Sequence, residues 1–407
     1  MTQDLPQRIG RVIQEYDLQG WHRTGTAVDA DSARWLADWV RSYGLDPVLE
    51  PFDLDRVDPV LTYLEIDGQR IDGLPFFESS FTDAAGVRGR LGLLGGDAEI
   101  GLAEMAVISD PTDAFTQARH SGNYQALVAI TMGGQPGLAP RNAEDFIDPF
   151  GPPVLQVDLS IGDWLKESAS QGAEARLVAQ VERTPAQAFN VVTKVPGLDQ
   201  SLRPLVVMTP RSGWWNCAAE RGGGIACWLE IAQAVHSDGP MRDVYFVASS
   251  GHELGHLGLK AFLDQHPGLA RDALTWIHLG ASIGSALEPQ PRVWNSDDEM
   301  ESLVLDAMPR PSLRKLVLSH RPVLAARSLE ERPGISTCVT AATSPWPAST
   351  PSFIWKRTAG PRRLMSHPSP DTLGRSATWQ SGWAANRRQF RPHSICSSKA
   401  ISSKRPT

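Results

Sequence analysis

One stretch near the middle of the chain constrains the fold more than any other. It begins as the apolar run Val244–Ala248, passes through a polar turn at Ser249–Gly251, and continues over residues 254–262 with apolar side chains at helical spacing. A buried strand that leads through a turn into a helix is typical of α/β folds. Ligands in such folds lie beyond the carboxyl ends of strands, so His252 and Glu253 in this turn are candidates for chemistry.

The composition is typical of a soluble globular protein. Of the 407 residues, 41% are hydrophobic and 21% are charged, and the formal net charge is −7. The negative charge argues against nucleic acid as the main partner. The amino terminus lacks the apolar core of a signal peptide, and no apolar run reaches the roughly 18 residues that a membrane helix needs. We therefore expect a cytoplasmic protein that binds neither nucleic acid nor a membrane.

The pattern of residues in the first half of the chain changes at about residue 61. Before it, Asp31–Ser32 is expected to cap a helix that Gly44 ends, and the proline-broken run Pro47–Phe52 is expected to form an edge strand. From about residue 61, short β-like runs alternate with Gly and Pro until a boundary near Arg183–Ala186. This pattern predicts an inserted α/β subdomain at 61–185, with residues 1–60 belonging to the main domain.

Residues 186–332 are predicted to form the core of the main domain. Strand-like runs at Asn190–Val195, Pro204–Met208 and Trp276–Gly280 alternate with a helix at Cys227–Val235. Such alternation predicts a mostly parallel sheet covered by helices on both faces. The expected architecture is therefore a three-layer α/β sandwich with a smaller α/β insert.

Four segments of this second half carry the polar residues that follow or precede the predicted strands and helices. They are Val207–Ser212, Glu220–Ala226, His252–Gly258 and Ile277–Gly280. In this order they resemble the motifs of the co-catalytic zinc aminopeptidases, a family that includes the carboxypeptidase II and transferrin receptor group. Residues 61–184 resemble the protease-associated domain that many members carry. The resemblance implies zinc as cofactor, peptides as substrates, and hydrolysis of their amino-terminal residues.

The matched positions depart from the family's zinc ligands. The first His, its supporting Asp, the bridging Asp, the general base, the second Glu and the strand-end Asp of the family correspond here to Thr209, Arg211, Glu220, His252, Glu253 and Gly280. The resemblance thus implies His252 and Glu253 as catalytic residues. Thr209 and Gly280 do not replace an imidazole and a carboxylate on zinc. The candidate metal ligands that remain are Glu220, Glu253, His256 and His278.

Residues 252–256 also spell His-Glu-x-x-His, the zincin pattern. In that pattern two histidines share one helix face, and the glutamate acts as base on a zinc-bound water. Gly255 and Gly258 weaken a helix here. Three alternatives stay open at this stage: zinc catalysis by this motif, a single metal held by His252, Glu253 or His278, and a site without metal.

A further set of side chains is expected to converge on the same cleft and bind a ligand. These candidates are Arg211, Ser212, Trp214, Trp215 and Arg221. An arginine can clamp a carboxylate or phosphate, and a tryptophan pair can stack on an apolar group. Gly222–Gly224 suits either an anion at a helix start or tight packing between a helix and a strand. The enzyme hypothesis therefore has a rival, a non-catalytic protein that binds a peptide or an anion in the former active cleft.

Residues 333–407 differ from the rest of the chain. They are rich in Ser, Pro, Arg and Trp, contain a single acidic residue, Asp371, and show no sustained strand or helix period. We interpret this tail as a shifted reading frame or a disordered segment. Codons permitted for residues 351–358, read from the third base, encode a segment that resembles the family's late His loop, so the nucleotide sequence tests this interpretation.

Overall fold

The computed structural model describes residues 4–106, 110–132, 137–138, 140–284 and 292–307, together with the strands at 317–318 and 338–342. The helices are α1 Leu5–Leu18, α2 Ala27–Ser42, α3 Ala114–Ser121, α4 Gly162–Ser170, α5 Gly223–Asp238, α6 Leu257–Gln265, α7 Leu269–Asp272 and α8 Asp298–Ala307. The strands are β1 Val48–Ile66, β2 Gln69–Asp72, β3 Leu74–Pro75, β4 Val87–Leu93, β5 Ile100–Ala106, β6 Ala126–Met132, β7 Val154–Val157, β8 Glu174–Val195, β9 Leu205–Pro210, β10 Val244–Ser249, β11 Thr275–Leu279, β12 Arg292–Asn295, β13 Val317–Leu318 and β14 Cys338–Ala342.

The main sheet has parallel strands at its centre. In the order β10, β9, β11, β14, each strand pairs in parallel with the next, whereas β8 pairs with β10 and β12 pairs with β14 in antiparallel fashion. Parallel central strands are nearly all apolar because both of their faces are buried. The predicted mostly parallel central sheet is confirmed.

Helices cover both faces of this sheet, and the side-chain alternation of the strands explains why. Val207 and Phe246 belong to the core formed with α1, α2 and α5, whereas Val206 and Val247 belong to the core formed with α6 and α7. Neighbouring residues of a strand point to opposite faces, so one apolar run supplies two cores. The predicted α/β class with helix layers on both faces is therefore confirmed.

A second, smaller sheet lies between β1 and β8 in sequence. Strands β4, β5, β6 and β7 pair in parallel, and α3 and α4 pack against them. The long strands β1 and β8 pair along almost their whole length and carry the chain from one sheet to the other. The expected boundary at Arg183–Ala186 lies inside β8, where these residues pair with residues 54–57 of β1. The domain limits themselves stay a prediction.

The start of α2 differs from the sequence-based expectation, whereas the first part of β1 agrees with it. Helix α2 begins at Ala27, not near Asp31, because Thr26 is its N-cap and accepts a hydrogen bond from the backbone N–H of Asp29. Residues 48–58 of β1 pair only with β8 among the described strands, as expected for an edge strand that contains prolines. No helix in the described part of the chain is long and apolar enough to span a membrane.

Most of the atypical tail lies outside the described residues. The exception is β14, which pairs in parallel with β11 and antiparallel with β12. This short strand falls within the segment 333–407 that the sequence pattern separates from the folded domain. The interpretation of the remaining tail as frame-shifted or disordered stays a prediction.

Candidate functional site

The carboxyl ends of β9, β10 and β11 meet at one edge of the main sheet. Ala248 pairs with Thr209, and Met208 pairs with His278, so the segments that follow these strands are neighbours. All four segments of the sequence motif contribute residues here. The edge is where an α/β sheet presents its ligand site.

The turn after β10 is not a helix. Gly251, Gly255 and His256 have positive φ values of 75°, 64° and 59°, and α6 begins only at Leu257. The two histidines of the His-Glu-x-x-His pattern therefore do not share a helix face, and the zincin interpretation of this motif is wrong. Asn190 holds the turn, because its side chain donates to the Gly258 carbonyl at 2.8 Å and accepts from the Ser250 N–H at 3.3 Å.

The Glu253 carboxylate is fully buried, and both of its oxygens are hydrogen-bonded. Oε1 accepts from the Thr24 hydroxyl at 2.6 Å and the Thr24 N–H at 3.1 Å, while Oε2 accepts from the Ser212 hydroxyl at 2.6 Å. Ser212 in turn accepts from the Gly251 N–H at 2.8 Å. Three neutral donors thus solvate the carboxylate inside the protein. Glu253 and Ser212 belong to one buried network that ties α2, β9 and β10 together.

Glu220 and Arg221 pair with each other in a buried π-helical turn, Ala218–Gly222, that precedes α5. A guanidinium nitrogen of Arg221 lies 2.9 Å from the Glu220 carboxylate, and Arg221 Nε donates to the Ser212 carbonyl at 2.9 Å. Single π-helical turns recur at functional sites. Here the turn directs a cation and an anion at each other, so Arg221 is not a free clamp for an external anion.

Arg211 is buried in the core rather than exposed in the cleft. Its guanidinium lies 2.9 Å from Asp29 and donates to the backbone carbonyls of Asp29 and Phe189 at 2.7 and 2.8 Å. Burial raises the pKa of the Asp29 carboxyl, while Arg211 opposes that shift. The sequence-based role of Arg211 in binding a ligand is not supported by this geometry.

The two tryptophans do not form a stacking pair. Trp214 packs on Phe77 with ring centroids 4.5 Å apart and donates from Nε1 to Asn142 Oδ1 at 3.2 Å. Trp215 meets Trp21 edge-on, with ring centroids 4.7 Å apart. Trp214 therefore faces the inserted subdomain, whereas Trp215 faces the segment between α1 and α2.

Close packing accounts for Gly223 and Gly224 at the start of α5. A Cβ on Gly224 would lie 2.8 Å from Thr209 Oγ1 and 3.1 Å from the Leu279 carbonyl oxygen, and one on Gly223 would lie 1.8 Å from the Ile283 carbonyl oxygen. Thr209 Oγ1 already donates to the Leu279 carbonyl at 2.9 Å. At these two glycines, the packing interpretation of Gly222–Gly224 is thus favoured over an anion cradle.

Three histidines lie at the open side of this network. The rings of His252 and His256 meet edge-on with their Nδ1 atoms 3.1 Å apart, and His278 lies near the carboxyl end of β11, the strand on the other side of β9. Burial lowers the pKa of all three, to about 3 for His256, to about 4 for His278, and well below the usual range for His252. Arg221 adds to the shift of His252 and His278, and His278 and Lys260 add to that of His256. They are therefore neutral imidazoles at neutral pH.

These donors do not fit a metal site. No group of three or more His, Cys, Asp or Glu side chains in the described residues is arranged to hold a metal ion. Glu253 is saturated by hydroxyl and amide donors, and Glu220 is neutralised by Arg221. The candidate ligand set Glu220, Glu253, His256 and His278 is therefore not assembled in the fold.

A loop of the inserted subdomain lies directly over the turn after β10. The Ala143 N–H donates to the Glu253 carbonyl at 2.8 Å, and a Cβ on Gly255 would lie 2.4 Å from the Glu144 carbonyl oxygen. The buried Glu78 carboxylate anchors the loop by accepting from the Asp145 N–H at 3.0 Å. The insert thus forms one wall of the site.

Sequence reasoning missed Thr24 and Asp29, which come from the start of the chain. Thr26 and Asp29 have the spacing of a capping box, with Thr26 Oγ1 accepting from the Asp29 N–H and the Asp29 carboxylate accepting from the Gly25 N–H at 2.9 Å. That pattern would have located the start of α2. Nothing local predicts that Asp29 also pairs with Arg211.

Comparisons with known proteins agree with this architecture. No family model and no curated protein matches the sequence. Among solved structures, a zinc aminopeptidase from Bacillus subtilis superposes with a TM-score of 0.65 at 17% identity, covering 87% of this chain and 92% of that one. An aminopeptidase from Aneurinibacillus sp. strain AM-1 gives 0.64 at 16%, covering 87% and 91%. A peptidase M28 precursor from Shewanella amazonensis SB2B gives 0.61 at 14%, covering 83% and 86%.

Identities this low establish shared architecture and leave the chemistry to the residues of the site. The order of the four motif segments and the parallel strand ends on which they lie agree with that architecture. The chain therefore has the α/β fold of the co-catalytic zinc aminopeptidases and M28 peptidases.

Proposed function

We propose that this protein is a non-hydrolytic relative of the zinc aminopeptidases that binds a peptide or a peptide-like small molecule at the carboxyl edge of its main sheet. The Glu253 carboxylate carries this proposal. Its two oxygens accept three hydrogen bonds of 2.6–3.1 Å from Thr24 and Ser212, so a metal would have to displace donors that already satisfy it.

The charges of the site support the same conclusion. Arg221 is paired with Glu220, and Arg211 with Asp29. Unlike a metal centre, which concentrates unpaired carboxylates around a cation, this site balances its charges internally. What remains for a ligand are neutral imidazoles and the wall formed by the insert.

Zinc analysis combined with peptide binding tests the proposal. The full chain is dialysed against zinc chloride and then against buffer, and zinc is measured by mass spectrometry alongside hydrolysis of leucine p-nitroanilide. Calorimetry then measures binding of tri-alanine. We expect far less than one zinc per chain, no hydrolysis, and binding of tri-alanine. Stoichiometric zinc with turnover, or no binding at millimolar peptide, would contradict the proposal.

A second candidate is metal-dependent peptide hydrolysis, which the zinc aminopeptidase among the similar structures favours. In that case Glu253 would act in catalysis and His252 would serve as base. A Glu253→Ala variant would then lose turnover, whereas Glu174→Ala, on the exposed surface of β8, would retain it. Equal turnover in both variants would exclude this role for Glu253.

A further inference from the structure

A loop of the insert, residues 140–150, covers the turn after β10, and we call it the cover loop. The Ala143 N–H donates to the Glu253 carbonyl at 2.8 Å. Trp214 Nε1 donates to Asn142 Oδ1 at 3.2 Å. Ala143 also belongs to the apolar cluster that the insert shares with the main domain. These contacts favour a closed position of the loop over the turn.

On the side of the insert, the buried Glu78 carboxylate anchors the cover loop. Oε2 accepts from the Asp145 N–H at 3.0 Å, and Oε1 accepts from Arg119 Nη1 at 2.8 Å. Arg119 also donates to the backbone carbonyls of Glu78 and Phe150 at 2.7 and 3.1 Å. A second guanidinium, that of Arg141, lies 3.5 Å from Oε1. Two buried guanidiniums therefore share one carboxylate, and Arg119 has the shorter contacts.

The Arg141 guanidinium, at the start of the cover loop, lacks most of the hydrogen bonds it could make. The side chain is buried, and its Nε and Nη1 atoms have no hydrogen-bond partner in the described part of the chain. Its 3.5 Å contact with Glu78 is longer than an ordinary N–H···O hydrogen bond. The rings of Phe76 and Phe115 lie 4.8 and 5.3 Å from its central carbon, which offsets part of the cost of burying a cation. Two of its three nitrogens still lose their hydrogen bonds to water without replacement.

The charges around Arg141 do not remove this cost. Glu78, Asp113 and Glu144 attract its positive charge, whereas Arg119 repels it. Within the described residues, Glu78 is the carboxylate that comes within ion-pair distance. Burial lowers the pKa of Arg141 in spite of these carboxylates. A buried cation with missing hydrogen bonds raises the free energy of the closed position, and opening of the loop would return the cation to water.

We propose that the cover loop is a lid over the site and that the buried Arg141 guanidinium biases this lid towards opening. The contacts with the main domain favour the closed position, and the unsatisfied cation favours the open one. Both positions are therefore accessible without unfolding of the insert. A lid of this kind controls access to the turn that carries His252 and His256. Such gating goes beyond the proposed function, because it does not depend on which ligand the site binds.

Amide hydrogen exchange of the full chain measures opening of the lid. In the wild type, the Ala143 amide is expected to exchange at least about a hundredfold faster than the Val128 amide in the centre of β6. Arg141→Met is expected to slow Ala143 exchange about tenfold, because methionine buries no unsatisfied donor and Glu78 keeps its shorter contacts. The matched variant Arg119→Met is expected to speed it, because Glu78 then loses its closest cation.

A third variant tests the lid independently of Arg141. Trp214→Phe keeps an aromatic ring against Phe77 and removes the N–H that donates to Asn142. It is expected to speed exchange of the Ala143 amide about three- to tenfold, the effect of one lost hydrogen bond.

Histidine labelling shows whether the lid controls access to the site. The full chain is treated briefly with diethyl pyrocarbonate, and the modified residues are mapped by mass spectrometry. Labelling of His252 and His256 is expected to slow in Arg141→Met, while His236, on the exposed surface of α5, is labelled equally in both chains. Equal exchange of Ala143 and Val128 in the wild type, unchanged or faster Ala143 exchange in Arg141→Met, or labelling that does not follow the Ala143 rate would overturn the proposal.

Discussion

At the residue scale, several polar and charged side chains of the motif segments are buried and bond to other protein groups instead of facing the cleft. Arg211 and Glu253 both have 0% exposure, and each is surrounded by partners from other elements. Removing one partner of the buried Arg211–Asp29 ion pair is far more destabilising than losing a surface charge, because the other charge stays buried. The sequence pattern placed both residues in the cleft because nothing local indicates their distant partners, Asp29 for Arg211 and Thr24 for Glu253.

His22 supplies a pH-dependent prediction. It is fully buried and stacks on Tyr16 with ring centroids 3.7 Å apart. Its Nδ1–H donates to the Asn216 carbonyl at 2.9 Å, and Nε2 lies 3.1 Å from the Gln19 side-chain amide. Burial lowers its pKa to about 3, with a smaller effect from Arg211. Between pH 6.5 and 3 the unfolded chain therefore binds a proton that the folded chain does not. The free energy of unfolding should fall by about 1.4 kcal/mol per pH unit below 6.5 from this residue alone.

Urea unfolding at pH 7, 6 and 5 measures that slope. His22→Gln is expected to lose stability less steeply than the wild type as the pH falls, whatever its stability at pH 7. His236→Gln, on the exposed surface of α5, is expected to keep the wild-type slope. Parallel slopes for wild type and His22→Gln would mean that His22 is protonated in the folded state.

At the element scale, the start of α6 is defined by close contacts rather than by helix preference. A Cβ on Gly258 would lie 2.2 Å from the Ser250 carbonyl oxygen and 2.4 Å from Asn190 Oδ1. The Ser250 carbonyl oxygen accepts from the Gly258 N–H at 3.0 Å, and Asn190 Oδ1 accepts from the Ser250 N–H at 3.3 Å, so both atoms help to hold the turn that carries His252 and His256. Sequence reasoning treated Gly258 as a residue that weakens a helix, whereas the fold uses its missing side chain for contact between β8, β10 and α6.

Two glycine substitutions test this difference. Gly258→Ala is expected to lower the free energy of unfolding by about 1–3 kcal/mol, the usual cost of forcing extra volume into a packed site. Gly10→Ala in α1, where an added Cβ meets nothing within 4 Å, is expected to raise it by about 0.5–1 kcal/mol because alanine favours helix. Urea unfolding of both variants gives the comparison, and a change of the same sign in both would contradict the packing argument.

At the scale of the whole molecule, the insert and the main sheet share one apolar cluster. Phe77, Ala143 and Phe146 of the insert pack with Leu254 and Leu257 of the main domain. The insert therefore packs against the main domain and forms part of the site. A likeness to the protease-associated domain alone does not indicate which surface of the insert meets the sheet.

Amide hydrogen exchange tests this coupling. Phe77→Ala removes the ring that packs on Trp214 and is expected to speed exchange of the Ala143 and Leu257 amides by at least tenfold, because the loop over the turn opens more often. Phe115→Ala alters a cluster made of insert residues alone and is expected to leave the Leu257 amide close to its wild-type rate. Similar acceleration of Leu257 in both variants would show that the loop does not depend on the shared cluster.

The sequence by itself determined the α/β class and indicated the sheet edge at which the candidate site lies. Apolar runs such as Val244–Ala248 are local signals, and parallel strands with polar residues at their carboxyl ends leave few architectures open. The order of the motif segments also led to the aminopeptidase fold. These features can be predicted because each one is encoded in a short, continuous segment of the sequence.

Only the tertiary structure decided what the site residues do. Glu253 is bonded to Thr24, 229 positions away, and Arg211 is paired with Asp29, 182 positions away. Burial and partner identity set the charge, the pKa and the accessibility of a side chain, and both come from contacts between distant segments. The same holds at short range for His252 and His256. Their spacing left a shared helix face open as one of three alternatives, and two left-handed residues, Gly255 and His256, bring the rings together through a turn instead.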